Sequence, residues 1–454
     1  MAIFERRAVM PVSADELYAW HGRPGAFERL NPSFDPVEVE ERTGGLGVGA
    51  RTVIRVPIGP VKQRWVAEHT ACEPGRMFRD EQKEGPFSKW VHTHLFEPQL
   101  DGTSELVDRV EYELPLGAMG RLVAERFTTD ALERMFSYRH ALTHADLRRH
   151  RRFGDRAPLT FAITGASGLV ASALMPFLSA AGHTVKPVKR SGDGFDASAF
   201  DDADVVINLA GAGVADERWS DERKKLLRDS RIAYTAKLID AVKQRGSKPR
   251  VWLQGSAVGV YGTREDEVLS DRAVLQLPPR EGPRKAAAFL SDLCVDWEGA
   301  AAPAAEAFGS RVVALRIGIV QSARGGALSK MLPAFKLGAG GPLAGGKSWQ
   351  ACVSLEDLLG QILFLVMNDS LTGAVNCVGP APTTSLEYAK VLGRVLRRPA
   401  IAPLPAFALR AMFGELADGA LLASQRAVPD RLTDAGFEFW QPTLEEMLRF
   451  TLGR

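Results

Sequence analysis

The chain has 454 residues, enough for two or three domains around sizeable cores. Its 57 basic and 55 acidic residues leave a formal net charge of +2, which excludes the strong positive field of a nucleic-acid or anionic-membrane binder. The 45% hydrophobic and 25% charged content is that of an ordinary globular protein, and Cys72, Cys294, Cys352 and Cys377 lack the paired or CxxC spacing of a disulfide framework or zinc site.

The first residues, MAIFERRAVMPVSADEL, carry no long apolar core, and the densest later run, around Ile362 to Met367, is too short to span a bilayer. The expectation is a soluble, unexported chain in a reducing cytoplasm, with neither nucleic acid nor membrane as partner. Histidine divides the chain: His21, His69, His92, His94, His140, His144 and His150 precede residue 151, and only His183 follows. A first strand is predicted at Phe4 to Val12. A helix follows over Ser13 to Leu30, capped by Ser13, with Leu17, Trp20, Phe27 and Leu30 on one face. The period then falls to two. Strands are predicted at Val37–Glu41, Arg51–Val56, Val61–Ala71, Met77–Gln82, Ser88–Phe96 and Ser104–Leu114, separated by turn signals such as Gly44-Gly45, Glu73-Pro74-Gly75 and Asp101-Gly102. Met119 to Arg149 reads as one long amphipathic helix, with Val123, Phe127, Leu132, Met135 and Phe136 as its apolar positions.

An antiparallel meander closed by a long helix is similar to the START and polyketide-cyclase-like helix-grip superfamily. The resemblance covers residues 1 to about 150 and implies an α+β fold that holds a hydrophobic ligand between sheet and helix. Trp90-Val91-His92-Thr93-His94 alternates, so His92 and His94 share one sheet face. No third ligand stands at a telling spacing; the pair is read as lying on a solvated strand face, and no metal site is assigned. Arg148, Arg149, His150, Arg151 and Arg152 form a cationic helix end favoured by the dipole. They lead into a basic linker at 151–157.

The second domain, 158–454, opens with Leu159-Thr160-Phe161-Ala162-Ile163-Thr164-Gly165-Ala166-Ser167-Gly168-Leu169. An apolar strand runs into a glycine turn and then a helix, ending near Ala181. Glycines let the backbone approach a pyrophosphate, while the helix N-terminus supplies free N–H groups and the positive end of its dipole. The predicted cofactor contacts here are Gly165, Ala166, Ser167, Gly168 and Leu169. His183 to Lys189 is a second strand, and where an acidic residue would hold the ribose 2′-hydroxyl of NAD the chain has Lys189-Arg190, which suits the 2′-phosphate of NADP. The alternative for these two is a solvated strand end. A third strand, Ala203 to Leu209, ends in small residues, adding Leu209, Ala210 and Gly211 to the cofactor set.

Thr164-Gly165-Ala166-Ser167-Gly168, Val206-Ile207-Asn208-Leu209-Ala210-Gly211, Gly255-Ser256-Ala257-Val258-Gly259-Val260-Tyr261-Gly262, Arg316-Ile317-Gly318-Ile319-Val320 and Gly325-Gly326-Ala327-Leu328 occur in one order. Together they resemble the extended short-chain dehydrogenase/reductase superfamily, in its "epimerase family" branch. The tail from about 403 to 450, with Pro405-Ala406-Phe407, Gly414-Glu415, Ser424-Gln425-Arg426 and Ala435-Gly436-Phe437, is similar to that branch's C-terminal segment of unknown function. The resemblance implies an α/β Rossmann-type doubly wound parallel sheet that binds NADP, with a small C-terminal lobe for a small-molecule substrate.

Hydride-transferring members of that superfamily use a Tyr-x-x-x-Lys pair and a hydroxyl residue, the lysine lowering the tyrosine pKa. Aligning Glu298 with the glutamate that follows that motif puts Leu290 at the tyrosine and Cys294 at the lysine, so the pair is missing. Val260-Tyr261-Gly262 likewise puts Ala257 at the hydroxyl position, with Ser256 one residue early. Ser256, Tyr261 or Cys294 are the candidate substitutes, against a buried, inert role for Cys294. Arg316, after the apolar run Val312 to Leu315, would hold an anionic substrate or form a structural ion pair. Ser354 stands where the branch commonly has histidine. Two functional readings follow: an NADP-dependent oxidoreductase or epimerase, and a catalytically quiet NADP(H)-binding sensor or hydrophobic-ligand carrier.

Overall fold

The computed structural model describes residues 1–58, 61–115, 118–191, 194–273, 275–277 and 285–454. Chain packing separates two units, one made chiefly of Met1–Ala157 and the other chiefly of Pro158–Met175 and His183–Leu452.

In the first unit β1 (Ala2–Met10), α1 (Ala14–Gly22) and α2 (Ala26–Arg29) precede β2 (Glu38–Thr43), β3 (Arg51–Ile58), β4 (Val61–Glu73), β5 (Met77–Glu84), β6 (Lys89–Pro98), β7 (Ser104–Glu113) and the long α3 (Ala118–Arg151). The strands form one antiparallel sheet in the order β1-β7-β6-β5-β4-β3-β2. Register shifts at Val66/Ala67 and His69/Ala71 in the β4–β5 pair mark bulges, which bend a sheet and increase its twist. Ser13 caps α1 by accepting from the Glu16 N–H at 3.3 Å. The single helix expected over Ser13 to Leu30 is two, because Pro24 follows the C-cap and Gly25 takes the left-handed region at φ +89°.

Leu132 and Phe136 of α3 pack against Phe4, Trp90, Val110 and Tyr112 of the sheet. Phe127 departs from the expected face and is 72% exposed. Five residues separate it from Leu132, about 140° around a helix at 3.6 residues per turn. The side chain of Val123 lies outside the described set. A buried, bidentate pair fastens α2 to α3: Arg29 Nε and Nη2 donate to Asp146 at 2.8 and 2.9 Å.

The second unit runs through β8 (Thr160–Thr164), α4 (Leu169–Ala180), β9 (Thr184–Pro187), the small hairpin β10 (Arg190–Ser191) and β11 (Gly194–Phe195), then β12 (Val205–Asn208). There follow α5 (Asp221–Asp229), α6 (Ile232–Gln244), β13 (Val251–Ala257), β14 (Val268–Ser270), α7 (Lys285–Gly299), α8 (Ala302–Phe308), β15 (Arg311–Ile317), β16 (Ile319–Gln321) and α9 (Gly326–Lys336). The chain ends with β17 (Trp349–Gln350), β18 (Cys352–Ser354), α10 (Leu355–Met367), β19 (Gly373–Cys377), β20 (Thr383–Thr384), α11 (Ser385–Leu396), α12 (Ala406–Phe413), β21 (Arg426–Val428), α13 (Asp430–Asp434) and α14 (Leu444–Leu452).

Six parallel strands order as β19-β15-β13-β12-β8-β9. From β8 the chain steps outward to β9, then returns across β8 to β12, so the topological switch falls between β8 and β12; in such sheets ligands bind at that point, beyond the strands' C-terminal ends. The C-terminal segment joins this unit by pairing β21 with β14. Its Ser424 hydroxyl accepts from the Trp349 N–H at 3.0 Å and donates to the Glu265 carbonyl at 2.9 Å, and Gln425 Nε2 donates to the Gly262 carbonyl at 3.1 Å. Among the described residues no helix is long and apolar enough to cross a membrane.

Buried polar groups join β8, β12 and β13 near their C-terminal ends. Thr164 Oγ1 donates to Asn208 Oδ1 at 2.7 Å, and Asn208 Nδ2 donates to Thr235 Oγ1 at 2.9 Å and to Gln254 Oε1 at 3.2 Å. All four residues have zero solvent exposure. Replacing Asn208 with Ala leaves several buried partners unsatisfied at once, so N208A is expected to destabilise the second unit by about 2–4 kcal/mol in urea unfolding followed by circular dichroism. A loss below about 0.5 kcal/mol would show that the network carries no stability.

Candidate functional site

The turn Thr164 to Gly168 sits at the switch point. Thr164 Oγ1 accepts from the backbone N–H groups of Leu209 and Ala210 at 3.1 and 3.2 Å, tying the end of β12 to the end of β8. Gly165 has φ +72°, and a Cβ there would stand 2.9 Å from the Leu209 carbonyl oxygen. Only glycine fits so close an approach of two backbones. Gly168 N donates to the Gly165 carbonyl at 2.8 Å and leads directly into Leu169, the first residue of α4. Ser167 and Gly168 are exposed, and Ala166 and Leu169 half-buried. The first-turn N–H groups of a helix have no partner within it, so this is a place where an anion is favoured.

Just beyond β9, Lys189 and Arg190 are both exposed. The Arg190 guanidinium lies 5.2 Å from the ring centroid of Tyr234 on α6, a contact that orients it without neutralising it. Ala210 is buried, and Gly211 backs onto the side chain of Arg231, which a Cβ would meet at 2.8 Å.

The candidate catalytic residues form one connected cluster at the C-terminal ends of β13, β15 and β19. Ser256 and Arg316 are register partners on β13 and β15. Ser256 Oγ donates to Glu298 Oε1 at 2.6 Å. Arg316 grips the same carboxylate with both arms, Nε to Oε1 at 2.9 Å and Nη2 to Oε2 at 3.0 Å, while its Nη1 donates to the Tyr261 hydroxyl at 3.1 Å. Tyr261 Oη in turn donates to Asn376 Oδ1 at 2.8 Å. Asn376 Nδ2 donates to the carbonyls of Leu269 and Val428 at 3.0 and 2.9 Å, so the cluster also holds the β14–β21 pair. Burial penalises the Arg316 charge, but the Glu298 carboxylate outweighs that and raises its pKa. Of the two roles weighed for Arg316, the structure shows the ion pair. Burial, opposed by Arg316, raises the Tyr261 pKa above that of an ordinary phenol.

Helix α7 presents no tyrosine or lysine here. Leu290 packs onto Gly259, and Cys294 lies in the same apolar cluster. Burial pushes the Cys294 thiol up to about 12, which disfavours the thiolate that a nucleophile needs. Ser354, at the position where the branch commonly has histidine, caps α10 by accepting from the Asp357 N–H at 3.0 Å.

In the first unit, the expected solvated face for His92 and His94 is wrong: both are buried, at 5% and 8% exposure. They share an inward face with Trp90 and Phe96, whose parity was the sequence signal for burial. His92 Nε2 donates to Asp108 Oδ1 at 2.8 Å, and His140 Nε2 lies 2.5 Å from Asp108 Oδ2. Burial, reinforced by the neighbouring His92, lowers His94 to about 4; burial also works against charge on His92, but Asp108 and Asp80 raise it to about 9.

A bulged antiparallel sheet with a long helix, followed by a parallel sheet carrying a glycine turn at its switch point, defines a helix-grip unit joined to a Rossmann-type unit. Residues 10–136 match the family described as polyketide cyclase/dehydrase and lipid transport, residues 161–370 the NAD dependent epimerase/dehydratase family, and residues 404–451 a domain of unknown function (DUF1731). An epimerase family protein of Mycobacterium bovis is 41% identical over 307 residues, 64% of this chain and 97% of that protein. The chain belongs to this epimerase family, an extended short-chain dehydrogenase/reductase branch, here with a polyketide-cyclase-like unit ahead of it. A crystal structure from Corynebacterium glutamicum, described as a nucleoside-diphosphate sugar epimerase, aligns with TM-score 0.78 at 29% identity, covering 99% of this chain and 90% of that one. Human epimerase family protein SDR39U1, solved with NADPH, aligns with TM-score 0.57 at 27% identity over 64% of this chain and 98% of that one.

Glu298, Asn376, Asp80 and Asp108 were not singled out as site residues from sequence. Glu298 served there only as an alignment anchor; its role depends on α7 delivering it to Arg316 on β15. Because removing one member strands a buried charge, E298Q and R316M are each expected to lose about 3–5 kcal/mol of stability, and the double variant less than their sum. Additive losses in denaturant unfolding would refute the coupling.

Proposed function

We propose that this protein is an NADP(H)-dependent oxidoreductase or epimerase acting on a small molecule held at the C-terminal edge of the parallel sheet. The observation that carries the reading is the Gly165 cradle, a close backbone approach that a Cβ would fill, with the exposed cations Lys189 and Arg190 beyond the neighbouring strand. The human relative solved with NADPH supports the same choice of cofactor. Gly165, Ala166, Ser167, Gly168 and Leu169 would hold the pyrophosphate, Lys189 and Arg190 the 2′-phosphate, and Leu209, Ala210 and Gly211 the nucleoside side. When bound, the nicotinamide supplies hydride transfer.

The chain's own contribution is the proton. On this reading Ser256 takes the proton of a substrate hydroxyl while its own passes along the hydrogen bond to Glu298, whose charge Arg316 balances, and in the reducing direction the same protons move the other way. Tyr261, tied to Asn376 and raised in pKa, positions Arg316 and the β14–β21 lobe. The C. glutamicum neighbour makes a nucleotide-linked sugar one substrate class to try first. A reducing cytoplasmic setting is part of this reading, in keeping with the four free cysteines.

A second reading is favoured by one specific observation: the positions of the usual tyrosine and lysine are buried as Leu290 and Cys294. On that reading the protein binds NADP(H) without turnover and serves as a sensor or as a carrier of a hydrophobic ligand in the first unit.

Binding comes first in the test. NADPH is expected to bind more tightly than NADH, with R190A narrowing the preference and G165V weakening NADPH at least tenfold by fluorescence titration; equal affinities for the two cofactors would refute the assignment. Turnover comes second. Incubated with nucleotide-sugar pools and metabolite extracts, the protein is expected to consume NADPH or interconvert isomers by mass spectrometry, and S256A to slow this about 100-fold or more. NADPH binding with no turnover, together with a co-purifying apolar ligand, would establish the second reading instead.

A further inference from the structure

The meander places two histidines and two carboxylates on one inward sheet face. Asp80 on β5 is the register partner of His92 on β6, and Asp108 on β7 is the register partner of His94. His92 Nδ1 lies 3.5 Å and His94 Nε2 3.9 Å from Asp80 Oδ1, and the three ligand-type atoms lie within 4.8 Å of one another. Two ligands bonded at about 2.1 Å to a tetrahedral ion stand about 3.4 Å apart, so an ion fits among these three groups with little movement.

The opposite edges of both rings support the same point. Asp108 Oδ1 is 2.8 Å from His92 Nε2 and 2.7 Å from His94 Nδ1, while Asp108 Oδ2 is held by His140 of α3 at 2.5 Å. A carboxylate that accepts from one ring nitrogen, as Asp108 does from His92 Nε2, fixes that ring's orientation and turns its other nitrogen toward the site, where a metal ion binds in place of a proton. On both rings the nitrogen away from Asp108 is the one that faces Asp80. Phe78 stacks on His94 at 4.1 Å and Phe136 meets His92 edge-on at 5.2 Å, so the rings are also locked by packing.

From this juxtaposition we propose that Asp80, His92 and His94 form a binding site for a divalent first-row transition ion of the zinc class, with Asp108 holding His92 from behind by a hydrogen bond and standing beside His94. The donor set of two imidazoles and one carboxylate selects such an ion over magnesium or calcium, which prefer all-oxygen sites. Three protein ligands leave one position of a tetrahedral ion for a water or for an oxygen of a molecule bound in this unit. Asp80 is the least buried of the three, which puts the accessible side of the site there.

The full-length protein, stripped with EDTA and dialysed, should bind one Zn(II) per chain with submicromolar affinity by calorimetry and elemental analysis. Co(II) should give the intense visible bands of a four-coordinate site. D80N and H94A are expected to weaken zinc at least 100-fold, D108N about 10–100-fold as for an orienting carboxylate, and the exposed-site control H144A not at all. If H94A fails to fold by circular dichroism, D80N, which keeps the shape of the side chain, and the Co(II) spectrum of the intact protein decide. Zinc that is substoichiometric or binds only at millimolar concentration, Co(II) bands of a six-coordinate aquo ion, or zinc affinity unchanged in D80N would overturn the site and leave a metal-free ion-pair network.

Discussion

The second unit depends on the buried polar network joining Thr164, Asn208, Thr235 and Gln254. A parallel sheet covered on both faces is held mostly by non-directional apolar burial, which allows strands to slide. Amides and hydroxyls with zero exposure are tolerated only when paired, so they fix the relative heights of β8, β12 and β13. That register sets everything above it. Thr164 brings the Leu209-Ala210 backbone against Gly165, and two residues further along β13, Ser256 arrives level with Arg316.

The cluster around Glu298 is arranged by the same logic with charge in place of amides. A guanidinium at 6% exposure needs a carboxylate, and the bidentate geometry leaves little freedom to either partner. The Ser256 and Tyr261 hydroxyls are recruited as the remaining partners of that pair, which is why side chains from β13, the turn after it, α7, β15 and β19 meet in one place. Where a Tyr-x-x-x-Lys pair would stand on α7, Leu290 and Cys294 serve the core beneath Gly259 and Trp219.

In the first unit the bulged sheet and α3 enclose aromatic residues, yet at the middle of β5, β6 and β7 the inward positions are Asp80, His92, His94 and Asp108. Burying that many titratable groups is costly unless they satisfy one another or an ion. Their mutual distances of 2.5–3.9 Å show that each is placed against the others. The unit therefore combines aromatic packing with a buried polar cluster.

Much of the architecture was legible in the residues. Alternation identified the seven strands and the long helix, because a half-buried sheet and an amphipathic helix must repeat with periods of 2 and 3.6. Glycine spacing located the turn after β8, and the order of motifs matched the epimerase branch that the relatives confirm. Local chemistry also misled in specific places: Pro24-Gly25 broke a helix that apolar spacing alone extended, and Phe127 was counted on a face that lies about 140° away. His92 and His94 are buried on the inward face, the parity they share with Trp90 and Phe96, where polarity alone predicts a solvated one.

By itself, then, the sequence determined the two fold classes, the glycine turn and the missing catalytic pair, since each is a property of residues near one another in the chain. Only the tertiary structure decided that Arg316 is bound by Glu298, that Tyr261 answers to Asn376, and that Asp80 and Asp108 stand on either side of two buried histidines. Those pairings join residues up to 115 positions apart, brought together by strand register and helix packing, and no local spacing encodes them.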